Sequence, residues 1–455
     1  MTLPISSQAE LEINSHGKTL AYPGKVINTK GNGNKLSLED KSFHDWYRFV
    51  LSFPPHLVNH YFKEFNISPG QIVLDPFCGT GTTLIQSKLN KIESVGIEAN
   101  PFAHFASMVK INWDIDPERL SEISKEIGNK SLTVLHDQGI EDLMFFNPHE
   151  MPELRTLNDV EMGLILGNSI SPLPLHKALV LRDVIDGYKD EKCYNHLRLA
   201  LAKTLVHRIS NLQFGPEVGV GKPKVDAQVV YCWLSEVNEM VNDLKSLINK
   251  DFPNARAILA DSRDIGDVLE PNSIDAVFTS PPYPNEKDYT RTTRLESVFL
   301  GFIQNKEDLR KFKKTLIRSN TRGVYKEDRD DAWIANNHEI SSIAEEIEKR
   351  RIELGKTSGF EKQYGKVTKL YFGGMTRHLN DLKKYLKPGA YLGYVVGDQA
   401  SYLRVMIRTG KLLAEIAHEL GYEVEQIDLF RNRFSTATKQ NLREEVVVLR
   451  WKGDK

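Results

Sequence analysis

A chain of 455 residues is too long for one average domain, so two domains, or one large domain carrying an insertion, are expected. Its 40% hydrophobic and 27% charged residues are those of an ordinary globular protein, and a formal net charge of -1 excludes a wholesale polyanion binder while leaving room for a local basic face. Cys78, Cys193 and Cys232 lack the paired spacing of a zinc site and fit a reducing compartment; the absence of a signal-peptide pattern or a long apolar run predicts a cytoplasmic protein with no membrane partner.

Residues 1–40 read as an N-terminal arm, with turn formers at Tyr22-Pro23-Gly24 and Lys30-Gly31-Asn32-Gly33-Asn34. In Phe53-Pro54-Pro55-His56-Leu57-Val58 the proline pair opens a helix whose apolar face is Leu57, Val58, Tyr61 and Phe62. Ile72-Val73-Leu74 is a short buried strand. It runs into Asp75-Pro76-Phe77-Cys78-Gly79-Thr80-Gly81-Thr82-Thr83 and then a helix through Leu84. Strand, Gly-x-Gly turn and helix make the first unit of a nucleotide-type sheet, where small residues let a ligand approach the backbone. The next strand, Ser94-Val95-Gly96-Ile97, ends at Glu98, an acid placed for ribose hydroxyls. A phosphate-binding Walker loop is excluded by the missing lysine, and a dinucleotide fingerprint by Leu84, where it needs a third small residue.

Residues 115–250 carry helical patterns and open with Asp116-Pro117-Glu118, a cap followed by a first-turn proline; they predict a mainly helical insertion. Inside it, Ser210 to Glu217 reads as a polar, turn-forming segment, either an ordinary interhelical loop or one that contacts DNA or cofactor. The core resumes with a strand, Ala257 to Ala260, ending at Asp261. Then comes the β-type run Ile274-Asp275-Ala276-Val277-Phe278, which stops at Thr279-Ser280-Pro281-Pro282-Tyr283. The prolines stiffen this loop and leave carbonyls free to accept hydrogen bonds. With the Ser280 hydroxyl and the Tyr283 ring beside them, the loop suits a planar heterocycle bearing an exocyclic amino group. Beyond it, Arg291 and Arg294 lie a helical turn apart. Within the charged segment 303–370, Lys306, Arg310, Lys311, Lys313, Lys314, Arg318 and Arg322 face only Glu307 and Asp308, so the stretch is either a solvated helix face or a site that neutralises phosphates. A helix through Leu379, Leu382 and Leu386, a stop at Lys387-Pro388-Gly389, a strand Tyr391 to Gly397, a helix around Leu412 to Leu420 and a strand Val446 to Leu449 complete an α/β alternation.

The Asp75–Thr83 loop resembles the S-adenosylmethionine loop of the DNA amino-methyltransferases, and Thr279-Ser280-Pro281-Pro282-Tyr283 resembles their catalytic loop; Phe53 to Val58 is similar to the extra cofactor motif just upstream. The resemblance implies an α/β, Rossmann-like class I methyltransferase sheet. The catalytic domain would be discontinuous, residues 41–114 and 251–455, with 115–250 the helical insertion and candidate target-recognition region. It implies S-adenosyl-L-methionine as cofactor, held by Phe53, Asp75, Pro76, Phe77, Gly79, Thr80, Gly81, Thr82, Glu98, Asp261 and Thr279. Ser280, Pro281, Pro282 and Tyr283 would be catalytic: Ser280 Oγ and the Pro281 carbonyl orient the amine, and Tyr283 stacks on a base flipped from double-stranded DNA. Arg291, Arg294, Lys311, Lys314 and Arg318 are the candidate nucleic-acid contacts, and a cognate restriction endonuclease the candidate partner. Ser-Pro-Pro-Tyr is more typical of N4-cytosine enzymes and Asp-Pro-Pro-Tyr of N6-adenine ones. An RNA guanine-N2 methyltransferase and a non-catalytic nucleic-acid-binding protein on the same fold stay open as alternatives. No Pro-Cys dipeptide serves a C5-cytosine mechanism, and Cys78 reads as a packing residue.

Overall fold

The structure, a computed structural model, describes residues 22–27, 36–37, 39–49, 52–143, 152–215, 217–285, 287–435 and 438–453. Most of the arm expected over 1–40, Lys30 to Asn34 included, lies outside these. Its described part, 22–27, runs beside a strand near the C-terminus, where Ile27 N–H donates to the Leu429 carbonyl at 2.9 Å.

Nine strands are described: β1 Ile72–Asp75, β2 Glu93–Glu98, β3 Leu212–Phe214, β4 Val218–Val220, β5 Ala255–Leu259, β6 Ile274–Thr279, β7 Leu386–Gly397, β8 Glu423–Ser435 and β9 Gln440–Arg450. Seven form one sheet in the order β5-β2-β1-β6-β7-β9-β8; β5 to β7 are parallel, and the last two pair antiparallel. Alternate residues go to opposite faces because the side-chain period of a strand is two. Val73, Ala276, Val446 and Val448 pack with Leu57, Val58, Tyr61 and Phe62 of the helix Pro55–Glu64. Leu74, Val277, Val447 and Leu449 face the helices Tyr364–Leu382 and Thr409–Glu419 on the other side. A sheet whose strands bury both faces needs helices on both, and that is the layered α/β fold expected.

Between β2 and β5 the chain forms the helices Pro101–Ile111, Pro117–Asp137, Pro172–Asp186, Tyr194–Lys203 and Val229–Lys245. Asp116 caps the second through the Glu118 N–H at 2.9 Å, with Pro117 in its first turn. These helices share one buried cluster with Leu84 and Ile85 of the helix Thr82–Leu89 that follows β1, so the inserted stretch is continuous with the core.

Several expectations change. The stretch Lys387-Pro388-Gly389 lies inside β7 instead of stopping a helix, because β7 pairs with β6 from Leu386 onward. The segment read as polar between Ser210 and Glu217 holds β3, which pairs antiparallel with β4 just beyond it. The charged segment 303–370 is more folded than its composition suggests. In the helix His338–Glu353, Ile340, Ala344 and Ile347 are buried at the spacing of one helical face.

Candidate active site

The carboxyl ends of β1, β2, β5, β6 and β7 lie at one edge of the sheet, the edge where open α/β sheets place ligands. A cavity of about 850 Å³ opens there, and its wall includes Phe53, Pro76, Phe77, Gly79, Thr80, Thr82, Glu98, Asp261 and the whole of Ser280-Pro281-Pro282-Tyr283. Residues more than 200 positions apart in sequence thus share one wall.

The loop after β1 turns sharply because Gly79 and Gly81 take positive φ, 53° and 83°, which L side chains rarely adopt. Gly81 N–H closes the turn on the Cys78 carbonyl at 2.7 Å, and the helix Thr82–Leu89 begins there. Glu98 sits at the foot of this turn. Its carboxylate accepts from Gly79 N–H at 2.8 Å and from Asn100 N–H at 2.7 Å. Burial is the largest influence on it and pushes its pKa up to about 7 against those two bonds. Each carboxylate oxygen keeps a lone pair beyond the backbone bond, so Glu98 can still accept hydroxyl donors. Asp261, two residues past β5, is gripped by Arg263, whose guanidinium also reaches Asp330 at 2.6 Å. Phe53 is only 8% exposed and meets Phe278 edge-on at 5.7 Å, so it serves both the core and the cavity wall.

Three of the residues assigned to cofactor binding, Asp75, Gly81 and Thr279, are not part of the cavity wall. Asp75 and Thr279 end neighbouring strands, and both are fully buried. Thr279 Oγ1 donates to Asp75 Oδ1 at 2.6 Å, and Phe77 N–H donates to the same oxygen at 3.1 Å. Burial nonetheless raises the Asp75 pKa to about 6, and Oδ2 has no partner. The pair braces the two loops from below.

In the loop after β6, Ser280 Oγ donates to the Val395 carbonyl at 3.1 Å, which occupies its proton and leaves lone pairs to accept. Tyr283 N–H donates to the Tyr289 hydroxyl at 3.2 Å. The Tyr283 ring lies on the backbone of Gly397 at the end of β7: a Cβ there would stand 2.9 Å from the ring. Burial raises the Tyr283 pKa, the Glu444 carboxylate adds to the shift, and the Ser280 hydroxyl opposes it.

Two of the proposed nucleic-acid contacts are corrected. Arg318 is buried, forked onto Asp328 at 2.8 and 2.9 Å, and bonded to the carbonyls of Lys313, Lys314 and Leu316. Arg294 is 8% exposed and donates to Thr290 and to the Leu164 carbonyl. Both guanidiniums are committed to the fold. Arg291 stays half-exposed, 3.9 Å from Glu217, while Lys311 and Lys314 are exposed on the helix Lys306–Thr315. Sequence reasoning missed His207, which a π-helical turn at Thr204–Ile209 brings to the cavity, and Lys287, Arg431, Arg433 and Glu444, while Phe214 and Glu217 of the segment from Ser210 to Glu217 also stand in its wall. The wall therefore includes the inserted hairpin β3–β4 and the C-terminal hairpin β8–β9. Among the described residues no cluster of His, Cys, Asp and Glu could hold a metal, and no helix is long and apolar enough to cross a membrane.

A parallel sheet closed by an antiparallel pair, with a Gly-x-Gly turn, an acid at the end of β2 and a Pro-Pro-Tyr loop on one cavity, defines a Rossmann-like α/β methyltransferase fold. Residues 27–108 match the family model described as DNA methylase. Along most of its length the chain is similar to the type II methyltransferase M.BsoBI of Geobacillus stearothermophilus, 26% identical over 472 residues, covering 95% of this chain and 88% of that protein. The type II methyltransferase M.AvaI of Nostoc sp. is 23% identical over 433 residues, covering 89% and 82%. M.MjaII of Methanocaldococcus jannaschii is 36% identical over 92 residues, 20% of this chain and 17% of that one. A solved structure, TrmN from Thermus thermophilus, aligns over 90% of this chain and 53% of its own with a TM-score of 0.29 and 10% identity. The family model over residues 27–108 and the similarity to type II methyltransferases along most of the chain support assignment to the amino-methyltransferase family.

Proposed function

We propose that the protein transfers a methyl group from S-adenosyl-L-methionine to the exocyclic amine of a base in double-stranded DNA, and that the amine is N4 of cytosine. The observation that carries the reading is the common cavity: the Gly-x-Gly loop with Glu98 and the Ser280–Tyr283 loop face the same 850 Å³ space, large enough for both reactants. The donor set suits this cofactor. Glu98 would take the ribose hydroxyls and Asp261 the adenine amine, with Phe53 and Phe77 as apolar walls and Gly79 and Thr80 beside the methionine portion. S-adenosylmethionine supplies an electrophilic methyl group on a sulfonium.

Ser280 Oγ and the Pro281 carbonyl accept the hydrogen bonds of the amine and draw its lone pair out of conjugation. Tyr283, propped on Gly397, stacks on the flipped base. Since no covalent intermediate is needed, holding nucleophile and methyl in line is most of the catalytic task. Arg291, Lys311 and Lys314 would meet the DNA backbone. The insertion 115–250, whose β3–β4 hairpin reaches the cavity, is the proposed target-recognition region, and a restriction endonuclease of the same specificity is the proposed partner.

The choice of cytosine rests on Ser280 in place of the aspartate more typical of N6-adenine enzymes. It is tested by mass spectrometry of nucleosides after purified protein has acted on unmethylated genomic DNA, and on total RNA, with isotopically labelled cofactor. Label in N4-methylcytosine is expected. Label in N6-methyladenine would overturn the target, and label in RNA alone would overturn the substrate class.

A further inference from the structure

Lys287 lies four residues beyond Tyr283, on backbone that is firmly held. Asn285 N–H donates to the Ser319 carbonyl at 3.0 Å, Lys287 N–H to Asn285 Oδ1 at 2.9 Å, and Asn320 Nδ2 to the Lys287 carbonyl at 3.1 Å. The residue is half-buried and lines the cavity. Arg433, from β8, reaches the same wall. Burial lowers the Lys287 pKa most, the positive charge of Arg433 lowers it further, and the Glu444 and Glu217 carboxylates raise it.

Two cations on one cavity wall call for an anion, and the carboxylates nearby are already engaged. Glu444 holds Arg431 through both carboxylate oxygens. Glu217 lies 3.9 Å from Arg291. Among the described residues neither Lys287 nor Arg433 has an ion-pair partner within 4.0 Å, although both face the cavity. Next to Arg433 stands Phe434, 60% exposed and also in the wall. Paired cations beside an exposed aromatic ring are the furnishing of a nucleic-acid contact. This cation pair lies on the catalytic loop and the C-terminal hairpin, away from the charged helix Lys306–Thr315 to which composition pointed.

We infer that Lys287 and Arg433 together clamp a backbone phosphate of the DNA strand that carries the target base, at the mouth of the cavity beside Ser280-Pro281-Pro282-Tyr283. The inference rests on the reading that DNA is the substrate. A phosphate pinned there fixes where the sugar of the flipped nucleotide lies, and so the depth to which its base reaches the amine-orienting atoms. Lys287 and Arg433 are positioning residues in this sense.

The test measures binding of a fluorescein-labelled, 40-base-pair unmethylated DNA duplex to the full chain, with S-adenosylhomocysteine present, over a range of salt concentrations. Lys287→Gln and Arg433→Gln should each weaken binding and flatten the slope of log K against log salt by about 0.9, and the double variant by about twice that. Lys287→Arg and Arg433→Lys should keep the slope, and calorimetric affinity for S-adenosylmethionine should stay at the wild-type value in all variants. A double Gln variant with the wild-type slope would refute the clamp alone. Wild-type protein that neither binds the duplex nor labels DNA would refute the proposed function, and the clamp with it.

Discussion

Glu98 offers a test in which pH reports on one side chain. Its pKa of about 7 in the ligand-free protein arises first from burial, partly offset by the Gly79 and Asn100 N–H groups. Ribose hydroxyls donate best to a carboxylate, so the bound state favours the ionised form and the group must release its proton before binding. Each pH unit below the pKa then costs about 1.4 kcal/mol, a factor of about ten in affinity. Calorimetric titration with S-adenosylmethionine should therefore tighten about tenfold from about pH 6 upward and level off above about pH 7. Replacement by Ala removes a charge-assisted contact that contributes about 1.5–3 kcal/mol, so Glu98→Ala should bind about 10- to 150-fold more weakly and lose the pH dependence in this window. Ala is the better choice because Gln would turn its NH₂ toward one of the two backbone N–H donors. Wild-type affinity that stays flat from about pH 5.5 to about pH 7.5 would show that Glu98 does not hold the cofactor.

Other substitutions separate the remaining roles. Ser280→Ala removes one acceptor for the amine and should lower kcat about 100-fold or more in a tritiated-methyl transfer assay, while cofactor affinity holds; a full rate would remove Ser280 from the chemistry. Gly397→Ala puts a methyl 2.9 Å from the Tyr283 ring, so the ring must shift, and methyl transfer should fall with cofactor affinity unchanged. Arg318→Ala should cost about 3–5 kcal/mol in urea unfolding, since it strands Asp328 in a buried site, whereas Lys311→Ala and Lys314→Ala should leave stability within about 0.5 kcal/mol and weaken DNA binding. Equal stability of all three variants would contradict the burial of Arg318.

The order of the core was legible because it is written in local signals. Proline and glycine mark both loops, an acid ends β2, and short apolar runs mark β1, β2 and β6. Of the C-terminal hairpin only β9 was legible, through the run Val446 to Leu449; β8 was not. In β8 the register slips between Val424 and Gln426 and again between Leu429 and Arg431, so the alternation by which a strand is recognised breaks twice. Arg433 was therefore never placed near the catalytic loop. Charge counting failed at Arg318 for a different reason: composition gives the sign of a residue but not its direction, and the partner that turns Arg318 inward, Asp328, lies ten residues on. The β3–β4 hairpin was hidden by length, since three-residue strands carry too little pattern to stand out from a turn.

Thr279 and Asp75 decide whether the two loops act together. They end the adjacent strands β6 and β1, and the hydrogen bond between them ties the roots of the amine-orienting loop and the Gly-x-Gly loop. Thr279→Val keeps the shape and removes the hydroxyl, leaving Asp75 Oδ1 with the Phe77 N–H to stabilise its charge. The sign follows from linkage. Asp75 has a folded pKa of about 6, above its unfolded value of about 3.9, so the folded state holds a proton that the unfolded state has released, and this contribution to stability is lost as pH rises through about 6. Without Thr279 the folded pKa climbs further. The variant should then differ little from wild type at about pH 5, where Asp75 is protonated in both. It should be less stable by about 1.5–3 kcal/mol at about pH 8, where the wild-type carboxylate is ionised and bonded. Urea unfolding at the two pH values measures this directly, and kcat should fall further than either binding constant because alignment depends on both loops at once. A stability deficit that is the same at both pH values would mean that the hydroxyl serves packing alone, and that something other than this bond sets the spacing of the loops.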